Sequence, residues 1–259
     1  FNIINFQRMQ RLNLKQIERY HEDGFLVVRN FFTIEECDKL KKILIEEISK
    51  GQDILKKTPS ETIDKIDANK LADIPRMINK GLLQDIAHRN SKFMSLAKDA
   101  RLITIMNQLF GEEVKAYRLY RSLSVFKNSK IVQKSELHQD MQYWKGESNK
   151  ASVWISLNKV TKQSGSLCFL PGSHNKLHEH IKKKREIHNK AFHMEIKNID
   201  QSQKVITEVG IGDIVIFHSR IIHGSEENIL RKDRYSLIFT YQPASDNSHH
   251  RSGPAELIE

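Results

Sequence analysis

Residues 204–217 read Lys204-Val205-Ile206-Thr207-Glu208-Val209-Gly210-Ile211-Gly212-Asp213-Ile214-Val215-Ile216-Phe217, and this stretch decides the fold class. Two runs rich in β-branched residues, 204–209 and 213–217, flank a turn marked by two glycines, which is typical of neighbouring strands. Similar runs cover residues 120–126, 151–157, 166–170 and 234–241. Many short strands without long helices between them predict an antiparallel sandwich or jelly roll over residues 113–244.

The first half of the chain has a different pattern. Apolar residues recur mainly at helical spacing over residues 12–111. We therefore predict a mainly β fold with flanking N-terminal helices that buttress the jelly roll. Residues 1–259 are expected to form a single catalytic domain, with residues 245–259 as a C-terminal tail.

Two helices and a loop can be placed within the first half. The first helix breaks at Gly24, and a short strand follows at residues 25–28. The second begins after the N-cap Thr33 and is expected to stop at Gly51. Residues 57–80 are polar and predict a long loop, the natural place for a lid over a pocket.

Composition excludes several classes of protein. The chain is 39% hydrophobic and 29% charged, ordinary values for a soluble globular protein. No run approaches the roughly 18 apolar residues of a membrane span. The start at Phe1 shows no signal-peptide pattern, although a segment before it could have been removed. Cys37 and Cys168 predict two buried reduced thiols, so we expect a cytoplasmic protein.

The net charge of +10 bears on possible partners. The one dense basic run, residues 182–185, has no aromatic residue beside it for base stacking. It predicts a solvated loop or helix face, and we expect no nucleic-acid partner. The positive balance instead favours a small-molecule substrate that bears a carboxylate or phosphate. The oligomeric state is not indicated, and we expect a monomer.

Metal-binding side chains occur at His138 and Asp140, and again at His223. Side chains two residues apart on a strand share a face, so His138 and Asp140 can aim at one ion. A distant third ligand is expected when two strands converge at one end of a jelly roll. Two imidazoles and one carboxylate form the facial set that holds a non-haem ferrous ion and leaves positions open. His218, directly after an apolar strand, is the alternative to His223.

Arg234 begins an apolar strand that would carry its guanidinium into the jelly roll. A buried guanidinium stays charged and binds a carboxylate through two hydrogen bonds. The alternatives are a surface ion pair of Arg234 with Asp233, and Arg231 as the carboxylate ligand. Five further histidines lie among lysines, which repel a cation, so we expect no metal there: His174, His178, His180, His188 and His193.

Several motifs occur together in a characteristic order. They are His138-Gln139-Asp140-Met141-Gln142-Tyr143-Trp144, Val153-Trp154-Ile155-Ser156-Leu157-Asn158, Ser164-Gly165-Ser166-Leu167, Pro171-Gly172-Ser173-His174, Gly212-Asp213 and His223-Gly224-Ser225. Residues 20–28 and 35–37 match the opening segment of the same pattern. Over residues 14–244 the chain resembles the phytanoyl-CoA dioxygenase family.

The resemblance implies an oxygenase that depends on iron(II) and 2-oxoglutarate, uses O2, and has a double-stranded β-helix. It implies iron ligands at His138, Asp140 and His223. It also implies that Arg234 and Ser225 bind the far carboxylate of 2-oxoglutarate and that Trp154 lines the co-substrate pocket, where a core role is the alternative. Related halogenases have a small residue in place of the acid, so Asp140 favours hydroxylation, desaturation or oxidative cyclisation.

The motifs do not identify the substrate. Candidate pocket residues are Tyr120, Ser122, Gln142, Tyr143 and Trp144, with Tyr117, Arg118 and Arg121 as candidates to meet an acid. Two alternatives stay open: a protein or nucleic-acid oxygenase with the same iron chemistry, and a non-enzymatic cupin-like binding protein.

Overall fold

The computed structural model describes residues 11–61, 74–75, 77–111, 116–144, 149–184, 192–196, 198–246, 248 and 256–258. In these residues two antiparallel sheets pack face to face, and helices cover the outer face of the larger sheet. This arrangement confirms the predicted jelly-roll class. No helix in the described ranges is both long and apolar enough to cross a membrane.

The strands are β1 (Phe25–Val28), β2 (Leu82–Gln84), β3 (Tyr117–Lys127), β4 (Ser135–His138), β5 (Ala151–Ser156), β6 (Leu167–Leu170), β7 (His180–Lys184), β8 (Phe192–Ile196), β9 (Val205–Thr207), β10 (Ile214–His218), β11 (Ile222–Ser225), β12 (Arg234–Pro243) and β13 (Glu256–Ile258). The larger sheet has the order β1-β10-β5-β12-β3-β13, and β2 also pairs with β3. The smaller sheet has the order β4-β11-β6-β9, and β7 pairs with β8 in a separate ribbon.

The helices are α1 (Leu14–Asp23), α2 (Ile34–Lys57), α3 (Ile86–Arg89), α4 (Ser91–Ala97) and α5 (Ala100–Phe110). Gly24 ends α1 in the left-handed conformation, with φ of 82°. Thr33 caps α2, and Glu36 completes the capping box. Both of these boundaries confirm the sequence prediction.

The predicted stop at Gly51 is wrong, because α2 continues through it to Lys57. A Cβ atom at Gly51 would lie 2.6 Å from Ile78 Cδ1 and 3.1 Å from Pro75 Cγ. The glycine therefore allows the segment around Ile78 to approach the helix. A glycine inside a helix costs about 0.5–1 kcal/mol relative to alanine, which this contact offsets. Most of the predicted lid, residues 62–73 and 76, lies outside the described residues.

The six predicted β-rich runs all form strands, but the sequence prediction missed β2, β4, β7, β8, β11 and β13. These strands have three to five residues each, too few for a clear alternation of polar and apolar side chains. The basic run was predicted as a solvated loop or helix face. This is wrong for its described part, because residues up to Lys184 form β7. In the C-terminal tail, Glu256–Ile258 pairs with β3.

The turn at residues 210–212, directly before β10, packs against the connection between β1 and α2. Gly212 has a φ of +81° and a Cβ there would lie 2.0 Å from Phe32 O. The Asp213 carboxylate accepts hydrogen bonds from the backbone N–H groups of Asn30 and Gly210 and from Arg29 Nη1. Burial raises the pKa of Asp213, but these hydrogen bonds outweigh it and hold the pKa below its usual range.

The two faces of the larger sheet have different environments. Outward side chains of β12, such as Leu237 and Phe239, pack in the core beneath the helices. Inward positions alternate with them, so Arg234, Ile238 and Thr240 face the smaller sheet. Between the sheets lies a second core that contains Phe25, Trp154, Phe169, Val215 and Phe217. His223 of β11 lies at one end of this space, with its ring against Phe217.

Candidate metal centre

The predicted metal ligands come together at the edge of the smaller sheet. His138 ends β4 and lies opposite His223 of β11, so one strand pair brings the two histidines together. Asp140 begins a short 3-10 helix, Asp140–Gln142. His138 Nε2 lies 3.8 Å from Asp140 Oδ1, and His223 Nε2 lies 3.9 Å from Asp140 Oδ2. The ligand atoms of all three residues lie within 4.8 Å of one another, so a single ion can be shared.

Hydrogen bonds fix the orientation of both imidazoles. His138 Nδ1 donates to Glu136 O at 2.7 Å, and His223 Nδ1 donates to Ile221 O at 3.0 Å. A carbonyl only accepts, so each ring has its proton on Nδ1 and its lone pair on Nε2, facing Asp140. Burial, and then the neighbouring His223, lower the pKa of His138 to about 4. A neutral imidazole with a free lone pair is the form that binds a metal, so the donor set fits a ferrous ion.

Apolar rings and one glutamine support the ligands. The His223 ring lies 4.8 Å from Phe217 and 6.1 Å from Phe169, between centroids. Gln139, between two of the ligands, is fully buried and donates from its side chain to Lys176 O and Arg220 O. The Gln139 backbone N–H also donates to His180 Nε2 at 3.1 Å. The loop that carries His138 and Asp140 is thereby held to the start of β7.

His218, the alternative ligand, lies outside this group. Phe217 faces the inter-sheet core, so the next side chain along β10 points to the opposite face. His218 Nδ1 accepts from Arg220 N at 3.1 Å, and its ring packs against His174. In the described part of the chain, the group formed by His138, Asp140 and His223 is the one that could hold a metal ion.

The five lysine-flanked histidines form no metal site among the described residues. His174 contacts the backbone oxygen of His21, and His180 donates from Nδ1 to His178 O. His188 lies outside the described residues, as does the side chain of His193.

Arg234 is 1% exposed and faces inward, as its strand position predicts. Its Nη1 donates to Gly165 O at 2.9 Å, and its guanidinium carbon lies 5.6 Å from the centre of the Trp154 ring. Its buried Nε has no hydrogen-bond partner among the residues described. Burial lowers the pKa of Arg234 to about 10, so it is charged at neutral pH. The rival Arg231 is exposed and donates to Ser129 O.

Lys127 is a residue of this site that the sequence analysis missed. It lies directly opposite Arg234 in the β3–β12 pair and is 3% exposed. Its Nζ donates to Gln133 O, Ser225 Oγ and Glu226 O. Burial, and then the charge of Arg234, lower its pKa to about 7. The only signal in the sequence is a lysine directly after the β-rich run 120–126; its pairing with Arg234 comes from the sheet.

Ser225 has a hydroxyl proton to offer when Lys127 is charged. Its Oγ accepts from Lys127 Nζ at 3.1 Å and from Ser135 N at 3.2 Å. A hydroxyl has two acceptor sites and one proton, so both acceptor sites are used and the proton points elsewhere. Gly165 lets these groups approach, since a Cβ there would lie 2.8 Å from Lys127 Cδ. We call Lys127, Ser225 and Arg234 the cationic clamp.

The predicted substrate residues divide into two groups. Tyr143 lies edge-on to His138 at 5.8 Å, and Trp144 packs on Tyr120 at 5.2 Å. Gln142, half-buried, donates to His178 O. Ser122 differs, because its Oγ accepts from Ala87 N and it therefore faces α3.

The pocket role predicted for Ser122 is thus wrong. The register of β3 with β12 shifts between Thr240 and Tyr241, which places a bulge at Tyr120. A bulge interrupts the alternation of side chains, so Tyr120 and Ser122 do not share a face as their spacing predicts.

Comparisons with known proteins agree with this geometry. The phytanoyl-CoA dioxygenase family profile matches residues 20–235. Phytanoyl-CoA dioxygenase domain-containing protein 1 homolog from Dictyostelium discoideum is 28% identical over 251 residues, which cover 87% of this chain and 89% of the relative. EctD from S. alaskensis, solved with 2-oxoglutarate and 5-hydroxyectoine, has a TM-score of 0.66 at 18% identity and covers 93% of this chain and 80% of its own.

A second solved structure has the same fold. The epimerase SnoN, in complex with Fe3+, alpha ketoglutarate and nogalamycin RO, has a TM-score of 0.63 at 17% identity. The match covers 92% of this chain and 86% of SnoN. Because the family profile spans well over half of the chain, this protein belongs to the phytanoyl-CoA dioxygenase family of iron(II)- and 2-oxoglutarate-dependent oxygenases.

Proposed function

We propose that this enzyme oxidises an anionic small molecule by hydroxylation, desaturation or oxidative cyclisation, while 2-oxoglutarate and O2 are converted to succinate and CO2. One observation carries the co-substrate: Arg234, fully buried and without a carboxylate partner among the described residues, packs on Trp154 of the inter-sheet core, and Phe217 of the same core contacts His223. A buried charge without a partner is costly, so the fold is built to receive an anion there.

His138, Asp140 and His223 are the residues that would hold the iron. The iron, when bound, supplies the activation of oxygen. Asp140 contributes the negative charge of the ligand set, and the Nδ1 hydrogen bonds of the two imidazoles to backbone carbonyls leave each Nε2 as the atom that would bind the metal. EctD and SnoN share this fold and were solved with 2-oxoglutarate or alpha ketoglutarate, which supports the same co-substrate here.

The cationic clamp would hold the far carboxylate of 2-oxoglutarate. Arg234 offers its unpaired Nε, and Ser225 offers the hydroxyl proton that its two hydrogen bonds leave free. Trp154 packs beside the guanidinium and lines the pocket. Held at this end, the keto acid would be fixed in register with the metal ligands, and the apolar rings around His223 would exclude water.

Location and assembly complete the proposal. Cys37 and Cys168 are both free and buried, as expected of a protein from a reducing compartment. We therefore propose a cytoplasmic enzyme. We also propose that it acts as a monomer with one catalytic domain and without a nucleic-acid partner.

An anaerobic titration tests this function. Iron(II) followed by 2-oxoglutarate should give a weak visible charge-transfer band, and admission of oxygen should then release succinate. Magnesium in place of iron should give neither result and serves as the control. If iron and 2-oxoglutarate produce no band and no succinate, the chain is a binding protein rather than an oxygenase.

Binding of 2-oxoglutarate at pH 8 should be accompanied by proton uptake. With a pKa of about 7, Lys127 is mostly neutral at that pH before the anion arrives. A carboxylate bound at the clamp favours the charged form and raises this pKa, so the lysine takes up a proton. Calorimetry in two buffers of different ionisation enthalpy measures the uptake.

Uptake should approach one proton per site and should vanish below about pH 6, where Lys127 is already charged. Lys127→Met keeps the length of the side chain and should abolish the uptake while it weakens 2-oxoglutarate binding. Equal proton uptake by wild type and Lys127→Met would remove Lys127 from the clamp.

A further inference from the structure

A row of four side chains crosses the inner face of the larger sheet at the level of the metal ligands. Phe217 of β10 pairs with Ser152 of β5, Ser152 pairs with Thr240 of β12, and Thr240 pairs with Arg121 of β3. Paired residues of antiparallel strands share a face, so all four point inward. At one end of the row, Phe217 lies 4.8 Å from the ring of His223.

Arg121 is therefore far from the cationic clamp. Arg234 and Lys127 are paired on the same two strands. This pair lies six residues away from the pair formed by Thr240 and Arg121. At about 3.4 Å per residue this separation is roughly 20 Å. In the described residues the inner face thus has Arg121 at one end and the cationic clamp at the other, and the co-substrate accounts only for the clamp.

The guanidinium of Arg121 forms no ion pair with an acid among the described residues. Its Nε is buried and has no hydrogen-bond partner among the residues described. Burial lowers the pKa of Arg121, and Asp140 is the acid that most strongly opposes this effect. Asp140 belongs to the metal ligand set, so a bound ion would share its charge.

A second unpaired donor lies nearby. Trp144 Nε1 is buried and also lacks a partner in the described part of the chain. The Trp144 ring packs on Tyr120, the neighbour of Arg121 in β3. Buried donors are normally satisfied, so two unpaired donors at one end of the inner face indicate a missing acceptor.

The other candidates for an acid-binding residue point elsewhere. Tyr117 donates its hydroxyl to Asn107 Oδ1 and lies in the core beneath the helices. Arg118 donates from Nε to Ala244 O. Arg121 is thus the one of these three that joins the row containing Phe217.

We propose that Arg121 binds the carboxylate or phosphate group of the primary substrate, with Trp144 Nε1 as a second donor. This inference rests on the proposed oxygenase function and names the substrate class for the same site. A guanidinium fixes both the position and the orientation of such a group. Anchored at Arg121, the substrate would extend along Thr240 and Ser152 toward the metal ligands, so the length of the acid would select the carbon that is oxidised.

The test uses the complete chain, loaded anaerobically with iron(II) and saturating 2-oxoglutarate. The probes are straight-chain acids from acetate to decanoate, benzoate, their primary amides, and the phosphate monoesters of the same carbon chains. Binding is followed by the perturbation of the charge-transfer band and by calorimetry. The best acid or phosphate ester should bind at least about tenfold more tightly than its neutral counterpart, as a charged hydrogen bond predicts.

Arg121→Gln should reduce this preference to less than about twofold, while Arg121→Lys should keep part of it. Arg19→Gln, at an exposed residue paired with Asp23, is the matched control and should leave the preference for anions unchanged.

Preference for the acids over the phosphate esters, or the reverse, identifies the anionic group. The proposal is overturned if the wild type shows no preference for anions, or if Arg121→Gln retains it. An unchanged 2-oxoglutarate band in Arg121→Gln shows that the co-substrate site is intact, whereas absence of the band in the wild type counts against the oxygenase function itself.

Discussion

Asp140→Ala should reduce iron-dependent succinate formation at least about 100-fold, because it removes the one anionic ligand of the metal group. The two remaining imidazoles are neutral and leave both charges of a ferrous ion uncompensated in a buried site. Iron content after anaerobic loading should fall in parallel. Both quantities are measured on the same preparation, by succinate assay and by metal analysis.

Loss of folding is a separate outcome that melting temperatures distinguish. The Asp140 oxygens approach the two Nε2 atoms no closer than 3.8 Å, beyond hydrogen-bond distance. Metal-free Asp140→Ala should therefore melt close to the wild type, and only the rise in melting temperature on addition of iron should disappear. Asp53→Ala removes an exposed aspartate from α2 and should leave activity unchanged. Full turnover in Asp140→Ala would refute the ligand assignment.

Much of the metal group could be predicted from the sequence. His138 and Asp140 are two residues apart, and the motif that contains His223 follows the β-rich run that ends at Phe217. What the sequence does not contain is the pairing of β4 with β11, which brings His138 opposite His223. Both strands have only four residues, so neither shows a periodicity of its own.

Residues whose role depends on register were harder to predict. Lys127 matters because it lies opposite Arg234, and the partner of a strand residue is set by the whole sheet rather than by local sequence. The prediction for Ser122 was wrong for a related reason: the bulge at Tyr120 depends on the pairing of β3 with β12 and changes the face to which Ser122 points. Gly51 has the pattern of a helix end, because the sequence does not show its close contact with Ile78, which is distant along the chain.

Arg234→Leu should raise the concentration of 2-oxoglutarate needed for half-maximal turnover about 100-fold or more, while iron binding stays largely intact. A charge-assisted, two-pronged bond to a carboxylate contributes about 1.5–3 kcal/mol, and leaving the carboxylate of the ligand buried and unpaired adds to the loss. The measurement is the KM for 2-oxoglutarate in the succinate assay, with anaerobic iron titration on the same variant. Arg231→Leu removes the exposed rival and should change neither value.

The stability of Arg234→Leu separates a binding role from a structural one. Without ligand, Arg234 and Lys127 are two buried basic groups side by side, and burial lowers the pKa of each. Replacing one of them with an apolar side chain relieves that cost, so the ligand-free variant should melt no lower than the wild type. The wild type should gain stability on addition of 2-oxoglutarate and the variant should not, because only a native state that binds the ligand is stabilised by it. Had the guanidinium served chiefly to hold the fold together through Gly165, the opposite would be seen: a lower melting temperature with an unchanged shift on ligand addition.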